Sequence, residues 1–195
     1  LTRESRAAIK KIVREIENGR RYAVSDEADE EFWTDIYEGI ALGLGFTGDA
    51  RALGLKCYRF YTQPESFELF EESADALLNL GDAGFRLGII SNFATMLKDS
   101  LEHNRVLHLF DPFVVSAAEG CMKPDKEIFD IALERAGVPP ELCVMVGDNP
   151  LDDGKGALSA GITPILIDRP GRLSPNGMRI ISSLHDLLDI LEPAV

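Results

Sequence analysis

The chain has 195 residues, of which 45% are hydrophobic and 27% charged, enough to bury a core as one domain or as a core with a modest insertion. Its net charge of −13 argues against nucleic acid or an anionic membrane as the main partner. No apolar run approaches the roughly 20 residues of a membrane span, and no signal peptide is evident. The three widely spaced cysteines lack metal-site spacing, which predicts reduced, structural thiols in a cytoplasmic protein.

The first third of the chain is predicted to be entirely helical. Apolar residues recur at helical spacing over residues 2–16, 29–42 and 49–61. The aromatic side chains of this part are interpreted as the core of a small helical bundle. The acidic cluster at residues 25–29 is interpreted as a solvated loop.

From residue 67 onward, strands and helices alternate. Helices are predicted over residues 67–80, 95–104, 126–136 and 183–191, and strands over residues 86–90, 113–115, 142–146 and 163–167. Such alternation is typical of an α/β fold with a parallel sheet and right-handed crossovers. We therefore expect an all-helical unit over residues 1–66 and an α/β core over residues 67–195.

The strand at residues 142–146 is continuously apolar, which favours a buried parallel strand. Gly147 ends the run, and three carboxylates follow: Asp148, Asp152 and Asp153. Carboxylates crowded at the carboxyl end of a strand repel one another unless a cation or a proton is shared, and oxygen ligands suit Mg²⁺. The alternative is a strand-to-helix turn at Asn149-Pro150, with an aspartate capping a helix that continues over residues 153–160.

Two further strand ends carry polar groups. Ser91 and Asn92 follow the strand at residues 86–90, and the loop after residues 113–115 delivers Lys123. Taken singly, the first pair is explained as a helix cap and the lysine as a solvated charge. Because the carboxyl ends of parallel strands share one edge, these groups can converge with the acidic loop. A hydroxyl, an ammonium and a carboxylate-bound cation together suit a phosphate group.

The order of these motifs resembles the haloacid dehalogenase (HAD) superfamily. Ser91-Asn92 after an apolar strand is similar to its second motif, Lys123-Pro124 to its third, and Gly147-Asp148 with Asp152-Asp153 to its fourth. The helical part resembles the branch of the superfamily with a helical cap. The resemblance covers nearly the whole chain and implies a Rossmann-like parallel sheet core with an all-helical cap domain.

This resemblance also implies roles for individual residues. Ser91 would bind a phosphoryl oxygen, and Asn92 beside it would help to shape the loop and bind the phosphate. Lys123 would bind the phosphate as well, and would neutralise the nucleophile and the transferring group. Asp148 and Asp153, with Asp152 beside them, would form the Mg²⁺ site. The acidic fourth motif is more similar to magnesium-dependent phosphatases of small phosphorylated metabolites than to the cation-independent dehalogenases.

The sequence departs from the superfamily at the first motif, an Asp-x-Asp at the end of an amino-terminal strand. In the superfamily, its first aspartate forms an aspartyl-phosphate and its second acts as acid and base. No apolar strand precedes an Asp-x-Asp in this sequence. In the superfamily, the strand that carries this motif lies between the strands that here end at Ser91 and Asp148. Because the nucleophile is missing, these 195 residues are expected to be inactive by themselves. The alternatives are a non-catalytic protein that binds a phosphorylated ligand or a partner, and, less favoured, a 2-haloacid dehalogenase.

Overall fold

The computed structural model describes residues 9–10, 14, 22–174 and 177–191. Positions 9, 10 and 14 are helical, and the rest of the helix predicted over residues 2–16 lies outside the described residues. No helix in the described part of the chain is long and apolar enough to cross a membrane. Cys57, Cys121 and Cys143 form no disulfide, and Cys121 is buried.

Two helices that are joined by a short loop and pack against each other form a hairpin before the strands begin. A 3₁₀ turn at Tyr22–Val24 precedes α1, Asp26–Gly43, and α2 spans Ala50–Tyr61. Ser25 Oγ accepts a hydrogen bond from the Ala28 amide at 3.1 Å and caps α1, and Asp49 caps α2 in the same way at 2.9 Å. Both predicted helices are confirmed, but residues 25–29 are the capped start of α1. Interpreting them as a solvated loop was wrong.

The helices pack closely where α2 carries a glycine. A Cβ atom at Gly54 would lie 2.6 Å from the Thr34 carbonyl oxygen. We call α1 and α2 together the helical hairpin.

The helix predicted over residues 67–80, which follows the hairpin, is shorter in the structure. Residues 67–72 are irregular, after a 3₁₀ turn at Pro64–Ser66, and α3 spans only Ser73–Asp82. Local apolar spacing favoured a helix from residue 67, but distant partners hold this segment. The Phe67 ring contacts Phe93, the Arg169 guanidinium lies 4.0 Å from the Phe70 ring centroid, and Glu72 pairs with Arg169 at 2.9 Å.

The remainder is the α/β core. Its strands are β1, Leu87–Ser91; β2, Phe110–Val115; β3, Val144–Gly147; β4, Thr163–Ile167; and β5, Arg179–Ile181. Its helices are α4, Leu97–His103; α5, Ser116–Glu119; α6, Lys126–Ala136; a π-helix, Pro150–Lys155; and α7, Gly156–Ser159. The three-residue β5 was not predicted. The helix predicted over residues 183–191 is only a 3₁₀ turn, Leu184–Leu187, that a Ser183 capping box starts.

The described strands form two parallel sheets. β1 pairs with β2, and β3, β4 and β5 pair in that order. Within the described chain β1 and β3 do not pair, so each leaves one edge free. The prediction of a buried strand at residues 142–146 is therefore only partly right: the strand forms, but Val144 is 41% exposed.

Two apolar clusters pack the helices of the core against the two sheets. One packs α6 and α7 against β2 through Val114, Ile128, Phe129 and Ala157. The other packs α3 and the last 3₁₀ turn against β4 and β5 through Leu80, Ile165, Ile167 and Leu187. The loops that carry the predicted site residues follow the carboxyl ends of β1, β2 and β3.

Candidate active site

The amide of Asn92 joins the loop after β1 to the loop that carries the lysine. Asn92 Nδ2 donates to the Lys123 carbonyl at 2.9 Å, and Asn92 Oδ1 accepts from the Lys123 amide at 2.7 Å. Both functional groups of the side chain are thereby engaged by the Lys123 backbone. These two bonds join the loop after β1 to the Lys123 loop, and the phosphate-binding role of Asn92 stays a prediction. Beside it, Ser91 ends β1 with a partly exposed side chain.

Lys123 is not the solvated surface charge that a lone lysine would suggest. It is only 9% exposed, and its Nζ donates to Asp153 Oδ1 at 2.5 Å. Its peptide bond to Pro124 is cis. A buried ammonium is stable only where an anion or acceptors replace water, and Asp153 supplies both charge and acceptor.

Asp153 is held on its other side by the backbone. Its Oδ2 accepts a hydrogen bond from the Asn149 amide at 2.9 Å, and the residue is 4% exposed. The carboxylate folds back over the end of β3, where a Cβ on Gly147 would lie 2.2 Å from Asp153 Cγ. Glycine is therefore required at position 147 because the Asp153 side chain lies where a Cβ atom would be. The sequence pattern alone did not indicate this reason.

The acidic loop is a π-helix rather than a turn before a helix that starts at Asp153. Asn149 Oδ1 accepts from the amides of Leu151 and Asp152 at 2.9 and 3.1 Å, so the cap is Asn149 and not an aspartate. Asp152 in turn accepts from Asn149 Nδ2 at 2.9 Å. Burial raises the pKa of Asp152, the charge of Asp153 raises it further, and Lys123 opposes the rise. Single π-helical turns occur often at functional sites.

The carboxylates partly fit a magnesium site. The Asp148 side chain is exposed at the mouth of the sheet, and Asp153 lies at the end of the same loop. Within the described chain no three His, Cys, Asp or Glu side chains are grouped to hold a metal. Two oxygen ligands suit Mg²⁺ in kind, because this ion is often bound through one or two carboxylates together with water and substrate phosphate. The magnesium site at Asp148, Asp152 and Asp153 stays a prediction.

Two supporting residues were not singled out from the sequence. Ser116, fully buried at the end of β2, accepts from the Phe93 amide at 3.0 Å and so fixes the residue after Asn92. Asp26 accepts from the Thr95 amide and hydroxyl at 2.7 and 2.6 Å. No local sequence signal marks either contact, since the partners lie 23 and 69 positions apart.

Three strand ends therefore converge, as predicted, through one chain of contacts. It runs from Asn92 after β1, through Lys123 after β2, to Asp153 after β3. The arrangement places a buried ammonium, paired with the Asp153 carboxylate, beside the ends of three strands, and an ammonium at such a position is suited to binding an oxyanion. With its parallel strands and covering helices, the molecule has the α/β, Rossmann-like architecture that binds ligands at the carboxyl ends of strands.

The chain belongs to the haloacid dehalogenase-like hydrolases, whose family model matches residues 2–161. It is 37% identical to the pyrimidine 5'-nucleotidase YjjG of Escherichia coli over 60% of this chain and 55% of that protein. It is 39% identical to the glyceraldehyde 3-phosphate phosphatase of Methanothermobacter thermautotrophicus over 63% of this chain and 58% of that protein. The chain thus spans little more than half the length of these two relatives.

Solved structures agree on the fold. The Bacillus subtilis protein YfnB, described as a HAD-hydrolase and solved with bound magnesium, has a TM-score of 0.77 with this chain. It is 25% identical, over 97% of this chain and 83% of that one. The 2-haloacid dehalogenase of Pseudomonas syringae has a TM-score of 0.65 at 21% identity, over 95% of this chain and 88% of that one. At this identity the second likeness concerns the fold alone.

Proposed function

We propose that this chain belongs to a Mg²⁺-dependent phosphatase that hydrolyses a small phosphate monoester. The observation that carries the proposal is the buried Lys123 between Asn92 and Asp153 at the convergence of three strand ends. The proposal is supported by relatives that are named as a pyrimidine 5'-nucleotidase and a glyceraldehyde 3-phosphate phosphatase. Both of those proteins act on small phosphorylated molecules.

The described residues would bind and orient the phosphoryl group. The Ser91 hydroxyl donates to one phosphoryl oxygen, and Lys123 neutralises negative charge that accumulates during transfer. Asn92 keeps the Lys123 backbone in place. Asp148 and Asp153, with Asp152 beside them, would hold Mg²⁺, which supplies positive charge next to the phosphate.

The attacking carboxylate is proposed to lie on a strand between β1 and β3. None of the five described strands ends in Asp-x-Asp, while the free edges of β1 and β3 leave backbone groups unpaired. The carboxylate attacks phosphorus and the alcohol leaves with a proton from the second aspartate. Water then hydrolyses the aspartyl-phosphate and restores both groups. The helical hairpin would cover the site and exclude water.

The test compares two chains with a generic aryl phosphate and Mg²⁺. The 195-residue chain should show no turnover, and the same chain preceded by a strand with Asp-x-Asp should hydrolyse the ester. The matched control replaces the first aspartate of that motif by asparagine. Lys123→Met in the longer chain should lower kcat by a factor on the order of 10² or more.

Two outcomes would overturn the assignment. Turnover by the 195-residue chain that disappears in Asp148→Ala would show that the nucleophile is not elsewhere. A longer chain that folds, binds inorganic phosphate and does not turn over any monoester would instead favour the non-catalytic alternative.

That alternative, a binding protein, is favoured by one observation: the free edges of β1 and β3 can accept a strand from a partner. It predicts phosphate or partner binding without turnover. A 2-haloacid dehalogenase is less favoured, because the loop after β3 is acidic. Chloride release from a haloacid by the longer chain would revive that possibility.

A further inference from the structure

Asp26, the first residue of α1, makes a contact that reaches across the molecule. Its Oδ1 accepts from the Thr95 amide at 2.7 Å and its Oδ2 accepts from the Thr95 hydroxyl at 2.6 Å. Hydrogen bonds to an ionised carboxylate are among the stronger ones in proteins. Both partners are exposed, so the contact is not a by-product of a packed core.

Thr95 lies in the site loop, which we define as residues 92–96 between β1 and α4. Three residues before it, Asn92 holds the Lys123 backbone through two hydrogen bonds. Between them, the Phe93 amide donates to the buried Ser116 hydroxyl at 3.0 Å. The position of Thr95 therefore affects the short site loop, at whose other end Asn92 binds the Lys123 backbone.

Asp26 is equally well tied to the helical hairpin. The 3₁₀ turn Tyr22–Val24 just before it contacts α5, and Ala23 is fully buried. Behind it, α1 packs on α2 at Gly54 without room for a Cβ atom. The backbone at Asp26 is therefore fixed to the helical hairpin, from which its side chain reaches Thr95.

A second connection joins the same two parts through aromatic rings. Trp33 on α1 contacts Tyr61 at 6.3 Å between ring centroids, Tyr61 contacts Phe67 at 4.9 Å, and Phe67 contacts Phe93 in the site loop at 5.5 Å. These ring contacts add packing between the helical hairpin and the site loop, whereas the Asp26–Thr95 contacts are directional hydrogen bonds.

We propose that Asp26 is a positioning residue of the site: through Thr95 it holds the site loop in the conformation in which Asn92 fixes Lys123. The proposal deepens the phosphatase function proposed above, on which it rests for its catalytic meaning. Its structural content is separate, because it concerns the order of the site loop with or without substrate. The helical hairpin is thereby more than a cover, since its position sets the geometry around Lys123.

Amide hydrogen exchange of the 195-residue chain tests the proposal. In Asp26→Ala, exchange of the site-loop amides and of the Lys123 amide should rise about tenfold or more, since a charge-assisted bond that closes this loop is lost. The Lys123 amide is the decisive probe, because it donates to Asn92 and not to Asp26. Thr95→Val, which keeps the backbone bond and removes the hydroxyl, should give a smaller rise at the same amides.

The control is Asp49→Ala, which removes an aspartate at the start of α2 whose side chain accepts only a local hydrogen bond, from the Ala52 amide. It should leave the Lys123 amide at its wild-type rate. Faster exchange confined to the Thr95 amide in Asp26→Ala would overturn the proposal, as would equal effects of the two alanine variants. Asp26→Asn should restore part of the protection, because its side-chain oxygen can still accept from the Thr95 amide.

Titration with inorganic phosphate separates this proposal from the phosphatase function. If neither the 195-residue chain nor the longer chain with Asp-x-Asp binds phosphate, the proposed function fails, while the exchange result still decides the role of Asp26. If phosphate binds, Asp26→Ala should weaken binding severalfold and Asp49→Ala should not. Unchanged phosphate affinity in Asp26→Ala would contradict a positioning role.

Discussion

At the scale of single residues, the buried ion pair of Lys123 and Asp153 is the contact on which the site most depends. The side chains are 11% and 5% exposed and meet at 2.5 Å. Removing one partner of such a pair leaves an uncompensated buried charge, which costs about 3 to 5 kcal/mol. The pair is therefore a structural requirement of the site as well as a source of charge.

Asp153→Ala should accordingly lower the free energy of unfolding by about 3 kcal/mol or more, measured by urea denaturation at pH 7 without Mg²⁺. Asp148→Ala is the matched control in the same loop. Because Asp148 is exposed, its replacement should change stability by less than about 0.5 kcal/mol. Equal losses in both variants would contradict the buried-pair interpretation.

A second buried carboxylate, Asp29 on α1, lies outside the site. It is 5% exposed, and the Tyr58 hydroxyl donates to it at 3.0 Å. Burial raises the pKa of Asp29 to about 6, partly opposed by the hydrogen bonds from Tyr58 and Trp33, and the charge of Asp26 adds to the rise. The folded protein therefore binds a proton at this position that the unfolded chain releases at lower pH.

This difference predicts a pH dependence of stability with a definite sign. The stabilising contribution of protonated Asp29 is complete below about pH 4 and is lost as the pH rises through about 6. Between pH 4 and 7 the loss should amount to about 2 to 3 kcal/mol. Asp29→Asn should gain that amount in unfolding free energy relative to the wild type over the same interval.

Unfolding free energies of the two proteins at several pH values measure this difference. Tyr58→Phe gives a second check: it removes a hydrogen bond that lowers the pKa of Asp29, so the loss should extend to higher pH. A difference between Asp29→Asn and the wild type that does not change with pH would show that Asp29 titrates normally.

At the scale of elements, the helical hairpin depends on the close approach of α1 and α2. Gly54→Ala places a Cβ atom against the Thr34 carbonyl and the Glu38 amide. We expect a loss of about 1 to 3 kcal/mol from overpacking, only partly offset by the better helix propensity of alanine. Thermal or chemical denaturation measures the result.

Gly81 on α3 is the matched control for Gly54. A Cβ there meets nothing within 4 Å, so Gly81→Ala should be neutral or stabilising by up to about 1 kcal/mol. The two substitutions are chemically identical and should differ in sign. A stabilising Gly54→Ala would show that the helices are not in close contact.

At the scale of the whole molecule, the described strands are separated into two sheets, and this separation leaves unpaired edges on β1 and β3. β4 has a neighbour on each side, whereas β1 and β3 each have one. Free edges of parallel strands expose backbone groups that favour pairing with another strand. The site and the free edges lie on the same strands, so a strand added between β1 and β3, as proposed above, would lie next to the site.

Amide exchange should reveal these free edges. In β4 the backbone amides should be protected throughout, and in β3 only those directed toward β4 should be slow, with the others close to the rate of an unstructured chain. A longer chain that supplies a strand between β1 and β3 should protect the fast amides. Uniform protection of β3 in the 195-residue chain would mean that β1 and β3 pair directly.

Features that depend on neighbours along the chain were predictable from the sequence. The helices of the hairpin, the parallel α/β core and the polar groups at three strand ends follow from apolar spacing and glycine positions within a few residues. The order of Ser91, Lys123 and Asp148 along the chain sufficed to indicate the family. What each motif residue does chemically remains a prediction.

Only the tertiary structure decided the features that depend on distant partners. Residues 67–72 are irregular because Phe93 and Arg169 hold them, and the acidic loop starts a π-helix because Asn149 caps it and Asp153 turns back to Lys123. Asp26 belongs to a helix start that reaches Thr95, 69 positions away. The spacing of residues within a short segment cannot reveal such partners. These contacts form only after folding has brought groups that are distant in the sequence close together.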